Sequence, residues 1–157
     1  MKEIITCGIF LFNSENRFLV GHPTNSEKLT HNFYSIPKGW NEDGESFFMS
    51  AKRELMEETN IDLDTIGMIK SIEVPIHKYI GYNPLTNGMS NKRIASYLIN
   101  TNIDFSNYDI KCESMVTHLE GDPFPEIDEF RWITIEEGFD CLHESQITPL
   151  QFVKKFI

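Results

Sequence analysis

Glu54, Glu57 and Glu58 stand three and four residues apart in the stretch "ESFFMSAKRELMEETNI", residues 45 to 61. On a helix that spacing puts their side chains on adjoining positions of one face. Glu42, Asp43 and Glu45 lie just ahead of them. Like charges so placed destabilise a helix by roughly 0.2–0.5 kcal/mol per pair, which a solvated surface tolerates. Two readings suit the pattern: a charged face turned to water, or a platform of oxygen ligands for a hard divalent cation.

The balance of the whole chain bears on that choice. It has 24 acidic and 14 basic residues and a formal charge of -10. A surface that grips nucleic-acid backbone or an anionic membrane needs clustered Lys and Arg, so neither duplex nucleic acid nor membrane is expected as a partner. An anionic substrate would need a cation between it and these acids. Cys7, Cys112 and Cys141 are odd in number, far apart and without a C-x-x-C pair, which argues against a disulfide framework and against a zinc site and suits a reducing cytoplasm. The five histidines, at 22, 31, 77, 118 and 143, show no metal-ligand spacing. The N-terminal "MKEIITCGIFLFN" lacks a small-residue cleavage site and reads as a buried strand. No stretch approaches the roughly 20 apolar residues that span a bilayer.

The elements that must hold the carboxylates follow from periodicity. A length of 157 residues, 40% hydrophobic and 12% aromatic, fits one domain over residues 1–157 with one sizeable core. "IITCGIFLF" and "RFLVGH", joined by "NSEN", read as a hairpin, and "NFYSIP" as a third strand stopped by Pro37. "KGWNEDGE" follows as a loop. From Ser46, a capping residue, the period turns helical: Phe48, Ala51, Leu55 and Thr59 form the buried stripe, and Asn60 ends it. "IGMIKSIEVPIHKYI" and "RIASYLIN" read as strands around a turn-rich loop, "GYNPLTNGMSNK". "FRWITI" is a last strand. Thr134 and Glu137 have capping-box spacing for a helix over 135–142, and Thr148 with Pro149 marks the start of another. Residues 103–129 show no period and suit a lid or binding loop.

Gly39, five residues, Glu45, seven residues, Arg53-Glu54-Leu55, one residue, Glu57-Glu58, and Ile61 two positions after Thr59 form a pattern that resembles the signature of the Nudix hydrolases. The strands before it and the "RWITIEEG" passage after it also look like that family, so the likeness spans most of the chain. The family usually has Gly where this chain has Asn60. That position ends the helix and calls for a positive φ, which Gly supplies freely and Asn is the next most willing to adopt.

The resemblance implies an α/β protein: a Nudix-type α/β/α sandwich with a mixed central sheet and the catalytic helix at about residues 46–59. It implies Glu54, Glu57 and Glu58 as metal ligands, with the backbone carbonyl near Lys38 and Gly39, and Mg²⁺ as the cofactor. Mn²⁺ suits the same ligand chemistry. Bound cations would turn an anionic wall into a site that attracts a diphosphate. Arg53 and Glu45 are expected to support the ligands, Arg53 by charge-assisted hydrogen bonds. The base that takes a proton from water is Glu54 or an acid in the loop before the last strand, where Glu126 is the candidate.

The implied activity is a pyrophosphohydrolase for a nucleoside diphosphate derivative, acting as a monomer or homodimer on a small-molecule nucleotide. Tyr79, 18 positions after Ile61, resembles the Tyr that accompanies dinucleoside polyphosphate hydrolysis, and Pro75, 14 after it, the Pro that accompanies ADP-ribose hydrolysis. Tyr79 serves either a base or the sheet. Lys38 touches a phosphate or is a solvated loop lysine. "PKG" also looks like diadenosine tetraphosphate hydrolases, with Trp40 in place of their usual His. Trp40 stacks on a base or sugar, or covers the core edge. A non-catalytic nucleotide sensor and a nucleoside triphosphate housecleaning enzyme are the alternatives.

Overall fold

Strand β1 (Ile4–Phe12) is apolar but for Thr6 because both of its faces are covered. In the computed structural model, which describes residues 3–24, 33–67, 70–117 and 121–157, its alternate residues enter two different cores. Cys7, Ile9 and Leu11 join Ala51, Leu55, Ile61, Tyr97 and Ile99 on one side. Phe10 and Phe12 join Phe18, Ile94, Leu98, Ile133, Leu150 and Val153 on the other. The side-chain period of two thus divides one hydrophobic strand between two layers.

Helix α1 (Phe47–Thr59) covers the first core, and helices α2 (Ile135–Cys141) and α3 (Ile147–Val153) cover the second. Between them lies a six-stranded mixed sheet. Besides β1 it comprises β2 (Phe18–Pro23), β3 (Lys38–Trp40), β4 (Ser71–Asn83), β5 (Gly88–Asn100) and β8 (Ile127–Ile133). The order is β4-β5-β1-β2-β8, with β3 paired to β1. Among the described strand pairs of this sheet, only β1 and β5 run parallel. The arrangement is the α/β/α sandwich with a mixed sheet that the resemblance to the Nudix hydrolases implies.

Several local expectations need correction. The predicted hairpin exists, but β1 and β2 pair only at Phe12↔Phe18, and the N-terminal part of β1 pairs with β3 instead. "NFYSIP" is no strand where it is described: Tyr34 and Ser35 make single bridges, and the strand falls on Lys38–Trp40, within the predicted loop. Pro37, without an N–H, contributes only its carbonyl, which accepts from the Ile9 N–H. The loop predicted over residues 81–92 shrinks to a four-residue turn between Asn83 and Gly88, with Asn87 at φ 52°. Residues 103–129 contain a short hairpin, β6 (Met115–Val116) with β7 (Phe124–Pro125). The α2 capping box of Thr134 and Glu137 is formed as predicted. Helix α3 starts one residue before Thr148, on a preceding 3-10 turn, with no side-chain cap. Among the described residues no helix is long and apolar enough to cross a membrane.

Candidate active site

Helix α1 turns two faces to different surroundings. Ala51, Leu55 and Thr59 pack on the sheet, and Arg53, Glu54, Glu57 and Glu58 line a cleft of about 530 Å³. Both ends of the helix are fixed. Ser46 Oγ accepts from the Met49 N–H at 3.1 Å, and Asn60 takes the left-handed φ of 66° and donates its N–H to the Met56 carbonyl. The Asn in place of Gly therefore does what the position asks.

The carbonyls of the last turn, which no residue within the helix can satisfy, recruit a second segment. Glu57 O accepts from the N–H groups of Glu113 and Ser114, and Thr59 O from Lys111. Asn60 Nδ2 donates to Asp109 O. Ser114 O then accepts the Glu126 N–H, and Glu126 O accepts the Thr24 N–H, each at 2.9 Å. A chain of backbone bonds thus carries Glu126 from the loop to the cleft, facing the helix carboxylates.

Arg53 organises the acids. Its Nε donates to Glu45 Oε2 at 2.9 Å, Nη1 to Glu54 Oε1 at 2.8 Å and to both Glu57 oxygens at 3.3 Å, and Nη2 to the Trp40 carbonyl at 2.9 Å. Glu45 is held in turn by Ser50 Oγ, which also accepts from Asn41 Nδ2. A planar guanidinium can serve these partners together where an ammonium cannot. Hydrogen bonds that Arg53 donates to Glu45 above all raise the guanidinium further above its ordinary value.

Glu58 is almost wholly buried and accepts a long hydrogen bond, 3.4 Å, from the Lys38 N–H. Burial pushes its carboxyl well above the ordinary carboxylate value, with Lys38 opposing and Glu54 and Glu126 adding repulsion. Burial likewise raises Glu54, against the pull of Arg53. Gly39 explains how Glu54 fits: a Cβ there would lie 2.0 Å from Glu54 Cδ.

These features test the fit of a divalent cation. The donors are carboxylate oxygens, the set that hard cations select, and burial disfavours the charged form of both Glu54 and Glu58, a cost that a cation beside them would offset. Among the described residues, no three His, Cys, Asp or Glu side chains converge as a ready ligand group, because Glu54 and Glu57 are drawn to Arg53. The residues fit the ion in type and place, and their side chains are arranged around the guanidinium.

The structure brings Lys38, Gly39, Trp40, Arg53, Glu54, Glu57, Glu58 and Glu126 to one cleft. It does not bring Tyr79. That ring packs against the core beside α2 and α3, where burial raises the phenol and the Thr6 and Ser145 hydroxyls counter it. His31 and His118 lie outside the described residues. Lys92, Phe124 and Ser114 line the cleft and were not singled out from sequence, since no local pattern joins β5 and the β6–β7 hairpin to the helix.

Comparison with known proteins bears on what this cleft is. The model of the NUDIX domain matches residues 2–152. The chain belongs to the NUDIX family. It is therefore a hydrolase of phosphoric anhydride bonds. This NUDIX chain is 26% identical over 151 residues to the RNA pyrophosphohydrolase of Pelagibacter ubique (strain HTCC1062), a match that covers 94% of this chain and 87% of that one. Two solved structures share the fold at low identity. A C. elegans Ap4A hydrolase binary complex has a TM-score of 0.65 at 16% identity, covering 98% of this chain and 96% of that one. The NUDIX domain of Shewanella oneidensis NrtR complexed with ADP ribose has a TM-score of 0.67 at 10% identity, covering 99% and 89%.

Proposed function

We propose that the chain is a Mg²⁺-dependent pyrophosphohydrolase that cleaves the diphosphate linkage of a nucleoside diphosphate derivative, a dinucleoside polyphosphate or an ADP-ribose-like compound. The observation that carries this reading is the meeting of buried Glu54 and Glu58, half-exposed Glu57 and the opposed Glu126 in one cleft, with Gly39 cut away to admit a carboxylate. Glu54, Glu57 and Glu58, with the backbone at Gly39, would hold the ion, and Mn²⁺ could substitute. When bound, it would supply Lewis-acid polarisation of phosphoryl oxygens and a more acidic water.

The chain's own residues do the rest. Arg53 fixes the carboxylates of Glu54 and Glu57, so that the ligand face keeps one arrangement. Glu126, or Glu54, takes a proton from the attacking water. Lys38 meets phosphate oxygens, and Trp40, 42% exposed at the cleft, offers a face for a base or sugar.

Product identification over a panel of nucleotide derivatives with Mg²⁺, using heavy-oxygen water to mark the attacked phosphorus, tests the reading. Turnover is expected only with divalent metal. Glu57→Gln is expected to keep the fold and lower turnover by orders of magnitude, and wild-type turnover in that variant would refute the ligand assignment. One observation favours a second reading, a nucleoside triphosphate pyrophosphatase. With Tyr79 outside the cleft, the aromatic surface there among the described residues is Trp40 and Phe124, enough for a single base. Release of inorganic pyrophosphate and a nucleoside monophosphate would identify that activity. Tight binding without product would identify a sensor.

A further inference from the structure

Strands β2 and β8 keep one register from Phe18↔Ile133 to His22↔Glu129 and take another at Pro23↔Ile127, so the ladder passes over Asp128. This is a β-bulge, and Pro23, with no N–H to give a ladder, stands at the break. The bulge decides which way the chain faces. Alternation puts Phe130 and Trp132 of β8 into the core under α1, and an unbroken strand would send Ile127 to the opposite side. With Asp128 inserted, Ile127 turns to the α1 side and fills the space beside Gly21, which shares that side with Leu19: a Cβ on Gly21 would lie 2.7 Å from Ile127 Cγ2. Glu126 follows Ile127 into the cleft. There the Thr24 N–H donates to its carbonyl and its own N–H donates to Ser114 O, each at 2.9 Å.

A bulge leaves its extra residue outside the ladder, and here a side chain supplies the tie. His22 Nδ1 lies 2.7 Å from Asp128 Oδ1. A carboxylate can only accept, so the imidazole donates from Nδ1. The bond joins the last β2 residue before the break to the bulged residue of β8, at the break itself. His22 is buried, and its ring meets that of Tyr34 edge-on at 5.5 Å between centres. Tyr34 is anchored in turn, its hydroxyl donating to Glu129 Oε2 at 3.1 Å. A charge-assisted hydrogen bond from a ring so held is among the stronger ties that a side chain can make.

We propose that His22, through Asp128, is a positioning residue for Glu126: the pair locks the bulge that aims Glu126 at the carboxylates of α1. The proposal rests on the pyrophosphohydrolase reading for what Glu126 does there, which is to take a proton from the attacking water. Neither His22 nor Asp128 lines the cleft, and both act on the reaction through Glu126.

Amide hydrogen exchange, read by NMR on the metal-free full chain, gives the first test. In His22→Leu the amides of Thr24 and Glu126 exchange about tenfold faster than in wild type, whereas the Asn60 amide at the end of α1 stays within about twofold. His22→Asn keeps a side-chain N–H near the place of Nδ1 and returns exchange to within about threefold of wild type. Asp128→Ala breaks the same bond at a position that is 40% exposed, so a His22→Leu chain that melts too low to study does not end the test. On the nucleotide identified by product analysis, His22→Leu and Asp128→Ala lower kcat about tenfold with KM within about threefold, and His22→Asn rescues kcat. In a Glu126→Gln background neither substitution lowers kcat by more than about twofold, because the group that they position is gone. Unchanged exchange at Glu126 in the breaking variants, an unchanged kcat, or a tenfold loss that persists in the Glu126→Gln background overturns the proposal. If the wild-type chain hydrolyses no nucleotide, the enzymatic reading fails, and faster Glu126 exchange in the variants still keeps the lock while unchanged exchange removes it.

Discussion

Gly39 and Glu54 compete for one space: a Cβ on Gly39 would lie 2.0 Å from Glu54 Cδ and 2.2 Å from both carboxylate oxygens. Gly39→Ala must push the carboxylate aside, because Leu55 next to it is locked in the core. We expect a stability loss of about 1–3 kcal/mol from overpacking, and a fall in turnover of about 100-fold, since a misplacement near 1 Å at a reacting centre can cost that much. Steady-state kinetics paired with circular-dichroism melts measure both. A fully active Gly39→Ala protein would separate Glu54 from the chemistry.

Arg53 gives a second test, because its role depends on shape as well as charge. Arg53→Lys keeps the charge but cannot reach Glu45, Glu54, Glu57 and the Trp40 carbonyl together. Turnover is expected to fall about 10- to 100-fold. Glu45→Gln should produce part of the same loss through Arg53, so the double variant loses less than the sum of the two. A double-mutant cycle on kcat/KM reads this directly, and strict additivity would mean that Glu45 does not act through Arg53.

How far the sequence reaches depends on whether a feature is local. The α1 face, its Ser46 cap and the positive φ of Asn60 are properties of consecutive residues, and each was legible. Register across strands is not. Nothing near Lys38 says that its strand pairs with β1 in place of the upper part of β2, so the predicted third strand began six residues early. Glu126 was legible as an acid in a loop, but the bonds that carry it to the cleft run through Glu57 O and Ser114 O, 57 and 114 being far apart in the chain. Tyr79, for which the sequence left a base or the sheet open, is settled in place only by the fold. Its distance from the motif matched a family habit, while strand alternation turned its ring to the core. Lys92 escaped because a strand lysine reads as solvent-exposed until its neighbours across the sheet are known.

Cys7 sits with no exposed surface under the acidic site, and its thiol is pushed up to about 11, by burial first and by Glu45 next. A thiol raised above its ordinary value stabilises the fold fully below pH 9, the unfolded value, and that contribution is lost as pH climbs to about 11. Urea denaturation should therefore show stability falling over this window. Cys7→Ala should fall less steeply, by about 2 kcal/mol across it, although it starts lower because of the cavity. Parallel slopes for the two proteins would show that the Cys7 thiol is not raised.

Glu58 allows metal binding to be measured without any substrate. Its carboxyl is 6% exposed and is met by one long N–H bond from Lys38, so without a cation its charged form is poorly compensated and burial pushes the group toward the neutral form. Glu58→Gln removes that charge and nearly keeps the shape. At pH 8 in EDTA the variant is expected to melt at or above the wild-type temperature. Mg²⁺ reverses the order: a ligand at 100 times its Kd stabilises the native state by about 2.7 kcal/mol, and the variant should lose most of that gain. Melts of both proteins across a Mg²⁺ series, with K⁺ added to a matched ionic strength, read the crossing. Equal shifts in the two proteins would remove Glu58 from the ligand set, whereas a variant that melts lower in EDTA would mean that Glu58 stabilises the fold by its hydrogen bond alone.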